Sequence, residues 1–378
     1  MKYNKYIIMT ALALLITGCS DEKKTTPKNV KMESSEKTKS HNAVRQEEHL
    51  SFEITDNMKI EADVSEYQED AYTYTAVKKE FSKDTLRKYF FAGKSKVKMT
   101  KNLNGLNLEA DDGSSLYVMK GSFSYSAGNS SDDIKYLIQG AYASELNYRN
   151  KNDEELQNLS EQQTVKITLS DVKKLYVPGK NEKIELLAGV KLNADKLLKQ
   201  QKLELDKSIL QSEIESGRYH MLDASMIPDD CYYMILGISK NGIPLLGAQE
   251  PGISIADENS MLQNTYIEVL ADRQGILNIN VTGAYSLKSN GYVSVMTPTE
   301  ACKTVQKKYD KQILTSKFVI SNVWLEYVFI ADSKAGDMMR NGEMRPYWCF
   351  EIVKEDDKGD SSAERINAAN GENLTYGE

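Results

Sequence analysis

Histidine and cysteine are scarce in this protein, and each shortage removes a class of chemistry. Among 378 residues there are three histidines and four cysteines. No His-x-x-His or Cys-x-x-Cys spacing occurs, so a transition-metal site has little to build from. His41 and His49 fall in a polar stretch before the first apolar alternation. A Ser-His-Asp triad would therefore have to use His220, because a tether histidine cannot be held in geometry. No serine lies in a Gly-x-Ser-x-Gly context. There is no glycine-rich phosphate loop and no Asp-x-Asp-x-Asp-Gly calcium loop. Basic blocks are absent after residue 50, and 48 basic residues face 55 acidic ones, a net charge of −7. That balance speaks against nucleic acid as a partner. Beyond the first 18 residues no run of 18 uncharged apolar residues exists, so no transmembrane helix is expected. No catalytic residue, cofactor or metal is expected on these grounds.

What is present begins at the N-terminus. Lys2 and Lys5 form a small positive region, and Tyr6 to Ile16 is an uncharged, mostly apolar stretch. Eleven residues are too few for a bilayer, which needs ~20 in a helix; they suit a secretory leader. Ile16, Thr17, Gly18 and Cys19 follow, a pattern that resembles the bacterial lipobox. The bland alternative is an ordinary signal peptide that happens to end in Gly-Cys. The resemblance implies cleavage after residue 18 and a diacylglyceryl group on the Cys19 thiol, which ties the protein to the outer side of a cell membrane. Two or three acyl chains, at ~0.8 kcal/mol per buried methylene, hold such an anchor firmly. Residues 19–49 are Lys, Glu, Ser, Thr and Asn with few apolar side chains, and read as a flexible tether. About thirty such residues span ~30 Å root-mean-square.

The remaining length suits two folded regions, expected at 50–225 and 226–378. In the first, Ser51–Val64 alternates loosely and Ser82 looks like a helix N-cap ahead of Leu86, Tyr89 and Phe90. Leu106–Leu108 and Leu116–Tyr125 read as a hairpin across Asp111-Asp112-Gly113. Asn150 to Gln163 reads as loop or solvated helix, and Asn193 as the cap of a helix carrying Leu197 and Leu198. In the second region Cys231–Ile238 is a strand closed by Lys240-Asn241-Gly242. Tyr266–Leu270 and Ile276–Val281 form a hairpin around Gly275. Cys231, Cys302 and Cys349 are odd in number, so no complete disulfide framework exists; they read as small buried residues. The expected class is α+β, mostly antiparallel sheets with a few packed helices.

The last eighty residues carry the clearest pattern. Thr297 caps, Pro298 suits the first helical position and Glu300 completes a capping box. Ala301, Val305 and Tyr309 share a face. Val319–Ile330 is a strand with Val319, Val323, Leu325, Tyr327 and Phe329 on one side. A polar loop follows over Asp332–Pro346, then the strand Tyr347–Val353, with Trp348, Phe350 and Ile352 on one face. Arg365–Ala368 and an Asn370-Gly371 turn end it. This α-β-β-β order, with Thr297, Glu300 and Ala301 at its start and Asn367, Ala368, Gly371 and Glu372 at its end, resembles a PepSY-type module over 297–375. Asn367 stands where the family has Asp, and Asn370 where it has Thr. Pro346 and Trp348 are similar to a variant in membrane-anchored accessory proteins of a cell-wall histidine kinase. The resemblance extends to large Gram-positive lipoproteins that carry such a module. It implies binding or regulation of a partner and no catalytic residues.

Two features stay open between a structural and a functional reading. The pairs Asp111-Asp112, Asp132-Asp133, Asp229-Asp230 and Asp356-Asp357 read as solvated turns rather than acid/base pairs. Tyr232, Tyr233, Tyr266, Tyr327 and Tyr347 suit sheet packing or, as the alternative, a sugar- or peptide-binding face. The protein is thus expected to be a non-enzymatic, lipid-anchored envelope protein that binds and modulates a membrane or secreted protein. The alternative is a lipid-anchored binder of a small molecule, peptide or glycan.

Overall fold

The structure is a computed structural model, which describes residues 44–45, 48–101, 105–139, 152–245, 265–310, 312–331, 341–355 and 357–374. The leader, Ile16, Thr17, Gly18, Cys19, His41 and Asp356 lie outside the described residues. In sequence order the elements begin with β1 (Val44–Arg45), β2 (Glu48–Thr55), β3 (Met58–Val64), β4 (Tyr67–Gln68), β5 (Asp70–Lys78) and α1 (Lys83–Phe90). Four strands follow, β6 (Val97–Lys101), β7 (Gly105–Ala110), β8 (Ser115–Met119) and β9 (Ser122–Ser126). Next come α2 (Asn129–Gln139), α3 (Asp153–Ser160), α4 (Gln163–Tyr176), β10 (Glu182–Lys191), α5 (Ala194–Asp206) and α6 (Gln211–Glu215). The remainder is β11 (Tyr232–Lys240), β12 (Ile243–Pro244), β13 (Tyr266–Asp272), β14 (Gly275–Thr282), β15 (Tyr285–Ser294), α7 (Pro298–Tyr309), β16 (Phe318–Ala331), β17 (Gly342–Lys354) and β18 (Asp357–Asn367).

Two large sheets organise these elements. One runs β10-β11-β13-β14-β9-β8-β7-β6, with β12 also on β11. All its pairings are antiparallel. The other runs β15-β5-β17-β16-β3-β2, with β18 on β17, and its one parallel pairing is β16 with β3. The class is α+β with mostly antiparallel strands, as the alternation predicts. The boundary at 225/226 does not separate the sheets. β6 to β9 join β14, β13 and β11 in one, while β2, β3 and β5 join β15 to β18 in the other. The described residues belong to one compact unit.

Burial follows the pleat. Along β11, Tyr232, Met234, Leu236 and Ile238 face one core with Val165, Val172, Leu175 and Tyr176 of α4. Tyr233 and Ile235 face the other way, against Ile134, Leu137 and Ile138 of α2 and Leu197 of α5. A strand covered on both faces has no polar side to show, which is why this segment reads as a continuous apolar run. The second sheet buries Ile320, Val323, Leu325, Tyr327 and Phe329 of β16 with Trp348, Phe350 and Ile352 of β17. Ile320 replaces the expected Val319 because the register slips at Ser321; the extra residue flips the side-chain phase.

Features set by a few neighbouring residues match their expectation. Ser82 caps α1, Asn193 caps α5, and Thr297 with Glu300 forms a capping box at α7 with Pro298 at its start. Cys231, Cys302 and Cys349 are buried. Other expectations differ: Leu116–Tyr125 is two strands, β8 and β9, paired across a turn at Lys120-Gly121, and the last strand starts at Asp357 rather than Arg365. His49 belongs to β2 rather than to a tether. β17 starts at Gly342, inside the stretch expected to be loop. α4 occupies residues that give no clear helical period.

Candidate binding groove at the edge of the larger sheet

Among the described residues β10 is an edge strand, paired only with β11 in the sheet order. A bulge at Leu187 interrupts it, so that Ala188 opposes Ile235 directly after Leu186 opposes Leu236. Before the bulge, Ile184 and Leu186 lie with the α4 core. After it, Ala188 and Val190 turn to the α2 and α5 side. The phase change aims Gly189 and Lys191 at α3. There the backbone needs a glycine: a Cβ on Gly189 would stand 2.8 Å from both Leu159 Cδ2 and the Tyr233 carbonyl oxygen.

α3 is held in place by its own ends. Asn152 Oδ1 accepts from the Glu155 N–H at 2.8 Å, and Glu155 Oε2 accepts from the Asn152 N–H at 3.3 Å. Asp153, Glu154 and Glu155 fill the first turn, where negative charge is favoured at the positive end of the helix dipole. Residues 155, 158 and 159 then share one face at helical spacing, and Gln162, the extended N-cap of α4, follows just beyond the helix end. Together with Gly189, Val190, Lys191 and Tyr232 they line an open groove of about 340 Å³. That lies at the lower end of the ~300–1,000 Å³ range of ligand sites.

A single carboxylate fixes the wall of this groove. Asp230 Oδ1 accepts from Lys191 Nζ at 2.9 Å and from the Tyr232 hydroxyl at 3.0 Å. Its Oδ2 accepts from Thr164 Oγ1 at 2.8 Å and from Arg273 Nε at 3.0 Å. Four donors, with Lys191 foremost, hold the Asp230 carboxyl well below the usual carboxylate range. The same contact raises the Lys191 ammonium above its ordinary value. Lys191 Nζ also lies 5.4 Å from the centroid of the Tyr232 ring. The expectation that Asp229-Asp230 is a solvated turn is corrected for Asp230, whose side chain is 13% exposed. Three of its four partners, Thr164, Lys191 and Arg273, come from distant parts of the sequence, so no local pattern marks it.

The other aspartate pairs also divide. Asp111 and Asp112 do form the turn between β7 and β8, with Asp112 Oδ1 accepting from the Ser114 N–H. Asp132 and Asp133 instead sit in α2. Asp132 accepts from Ser126 and Asn278, and Asp133 is buried. His220 donates its backbone N–H to Asp133 Oδ1 at 3.0 Å, and its Nδ1 lies 3.3 Å from Asp133 Oδ2. The other ring nitrogen makes no hydrogen bond among the described residues. Burial pushes the Asp133 carboxyl above its usual range. Tyr232, Tyr233, Tyr327 and Tyr347 are buried in the sheets, as packing predicts. Tyr232 alone of these also lines the groove. No group of three or more His, Cys, Asp or Glu side chains suited to a metal occurs among the described residues. No described helix is long and apolar enough to cross a membrane.

No family model matches this sequence, and no curated protein matches it. Among solved structures the protein is similar to an uncharacterized protein from Eubacterium rectale, known from a crystal structure at 1.45 Å. The TM-score is 0.54 at 14% identity, over 86% of this protein and 93% of the other. That likeness is one of fold.

Proposed function

We propose that this protein is a non-enzymatic, lipid-anchored, extracytoplasmic binding protein that engages a polypeptide segment of a membrane or secreted partner in the groove between α3 and β10. The observation that carries the reading is the groove itself. It combines a fixed cation at Lys191, seated over the buried Tyr232 ring, with two side-chain amides, Asn158 and Gln162. Those amides each offer a donor and an acceptor, the complement of a peptide group. A space of about 340 Å³ admits a few residues and not a protein face, so the contact is with an exposed segment. The lipobox-like Ile16-Thr17-Gly18-Cys19 supports the anchor.

A regulatory role is supported by the C-terminal module. α7, β16, β17 and β18 follow one another as helix, strand, strand, strand, with β17 paired to both of its sequence neighbours. Asn367 Oδ1 accepts from the Ala369 N–H at 2.9 Å, and the Gly371 N–H reaches the Asn367 carbonyl at 2.8 Å. Gly371 has φ +76°, which glycine alone takes without cost. Asn and Asp serve this turn equally, so the PepSY-like ending works here as a structural closure.

The test uses the full-length protein. Replacing exposed Asn158 by Trp fills the groove from its rim without touching the core. Wild-type protein is expected to show a thermal shift with a pool of short peptides, and Asn158→Trp to lose it. An equal shift in both proteins would show that peptides bind elsewhere. For the anchor, Cys19→Ala should leave the protein unprocessed or free in the medium; membrane attachment with normal processing would refute it.

A further inference from the structure

Deepening the groove reading, on which it rests, we infer that the segment bound there carries a carboxylate, and that Lys191 is the group that recognises it. Three observations lead to this chemistry.

The first is the charge balance at Asp230, on the wall opposite the Glu155 carboxylate of α3. Asp230 brings Lys191 and Arg273 to one carboxylate, so two cations share one anion in a protein whose net charge is −7. Both oxygens of Asp230 are already used twice. Its role is to position, and it has no lone pair left to compete for a ligand's donors.

The second is geometry. An ammonium has three donors. Lys191 gives one to Asp230 at 2.9 Å while its side chain stays 54% exposed. The carboxylate behind it and the ring face beside it fix a long, flexible side chain in one place, which lowers the entropy lost on binding. Lysine here is a placed point charge, the form suited to a single carboxylate oxygen.

The third is the opposite wall. Glu155 turns back to the start of α3 through the Asn152 N–H. Asn158 makes no side-chain hydrogen bond among the described residues. Gln162 Nε2 reaches only the Asn158 carbonyl, at 3.4 Å. These amides match the peptide groups next to a carboxylate. Arg273, whose side chain is 78% exposed, stands on the far side of Asp230 and adds to the attraction without lining the groove.

The carboxylate has two sources, the C-terminus of a polypeptide or an acidic side group. Calorimetric titration of the full-length protein in detergent separates them with three probes. They are N-acetyl-Ala-Ala-Ala with a free C-terminus, its C-terminal amide, and N-acetyl-Ala-Asp-Ala-amide. At least one carboxylate-bearing probe is expected to bind tenfold or more tighter than the neutral amide. Lys191→Gln is expected to abolish the difference, and Arg273→Gln to reduce it while adding sensitivity to salt. Preference for the first probe assigns the site to a C-terminus, and for the third to an acidic side group. Equal affinity for charged and neutral probes, or a preference that survives Lys191→Gln, overturns the inference. If peptides bind without charge preference and Asn158→Trp still abolishes binding, the groove reading stands and only the carboxylate falls.

Discussion

At the residue scale, two side chains make pH an observable. Both ring nitrogens of His49 face carboxylates, Nδ1 with Asp63 at 2.8 Å and Nε2 with Glu61 at 2.9 Å. A neutral imidazole has one donor and one acceptor, so only the imidazolium satisfies both contacts. The Asp63 hydrogen bond, then that of Glu61, accordingly raises the His49 pKa above its ordinary value. The stability it adds is fully present below the unfolded-state pKa and is lost as pH rises through the folded one. An NMR titration should place His49 above a histidine in an unstructured peptide, and His49→Gln should remove that pH dependence. Lys78 behaves oppositely. It is buried, donates to the Tyr285 hydroxyl at 3.0 Å, and burial lowers its pKa to about 8. Below that value the cost of burying its charge is fully present. Stability then rises between about pH 8 and the ordinary lysine range near 10.5, by roughly 3 kcal/mol in all. Urea midpoints across this interval should climb in the wild type relative to Lys78→Met. Parallel curves would show that Lys78 is not desolvated.

At the element scale, the features legible in the sequence are those a few neighbouring residues decide. Caps at Ser82, Asn193 and Thr297 need one side chain and the next turn of backbone. α4 escapes a periodicity reading because its buried face includes Thr164 and Thr168. Those hydroxyls are satisfied by Asp230 and by the Thr164 carbonyl, partners that periodicity does not reveal. The bulges at Leu187 and Ser321 are set by the opposing strand and leave no local mark; the first of them aims Lys191 into the groove. The groove face of α3, residues 155, 158 and 159, is a helical repeat in a stretch too polar to stand out. Strand addition is discouraged at two edges, since β10 and β15 each carry a bulge, a common protection of exposed strands. Within the second sheet, Arg365 Nε donates to Glu326 Oε1 at 2.6 Å with both side chains under 5% exposed. Trp324 Nε1 donates to the other oxygen at 3.2 Å. Breaking such a pair strands a buried charge. Arg365→Met should therefore cost about 3–5 kcal/mol by chemical denaturation. The double variant with Glu326→Leu should recover most of that loss; additive losses would contradict this.

At the scale of the whole molecule, strands from both halves of the sequence interleave in both sheets. The halves cannot act as separate beads on a tether, because each sheet would lose its middle. The edge of the larger sheet, with α3 laid along β10, is then where a rigid scaffold meets a polar, accessible cleft. Its chemistry is illegible in the sequence because Thr164, Lys191, Asp230, Tyr232 and Arg273 meet only through the sheet and α4. The expected attachment, by contrast, rests on a short local pattern ending at Cys19. Together these two ends carry the proposal of an anchored protein that presents this groove to a partner segment. Photocrosslinking in intact cells tests that directly. A crosslinker placed by Asn158→Cys, with Cys231, Cys302 and Cys349 buried, should give one discrete membrane-associated adduct. The same crosslinker at exposed Tyr292 should give none. Equal adduct patterns from both positions, or none from Asn158→Cys, would contradict the groove as the site of partner binding.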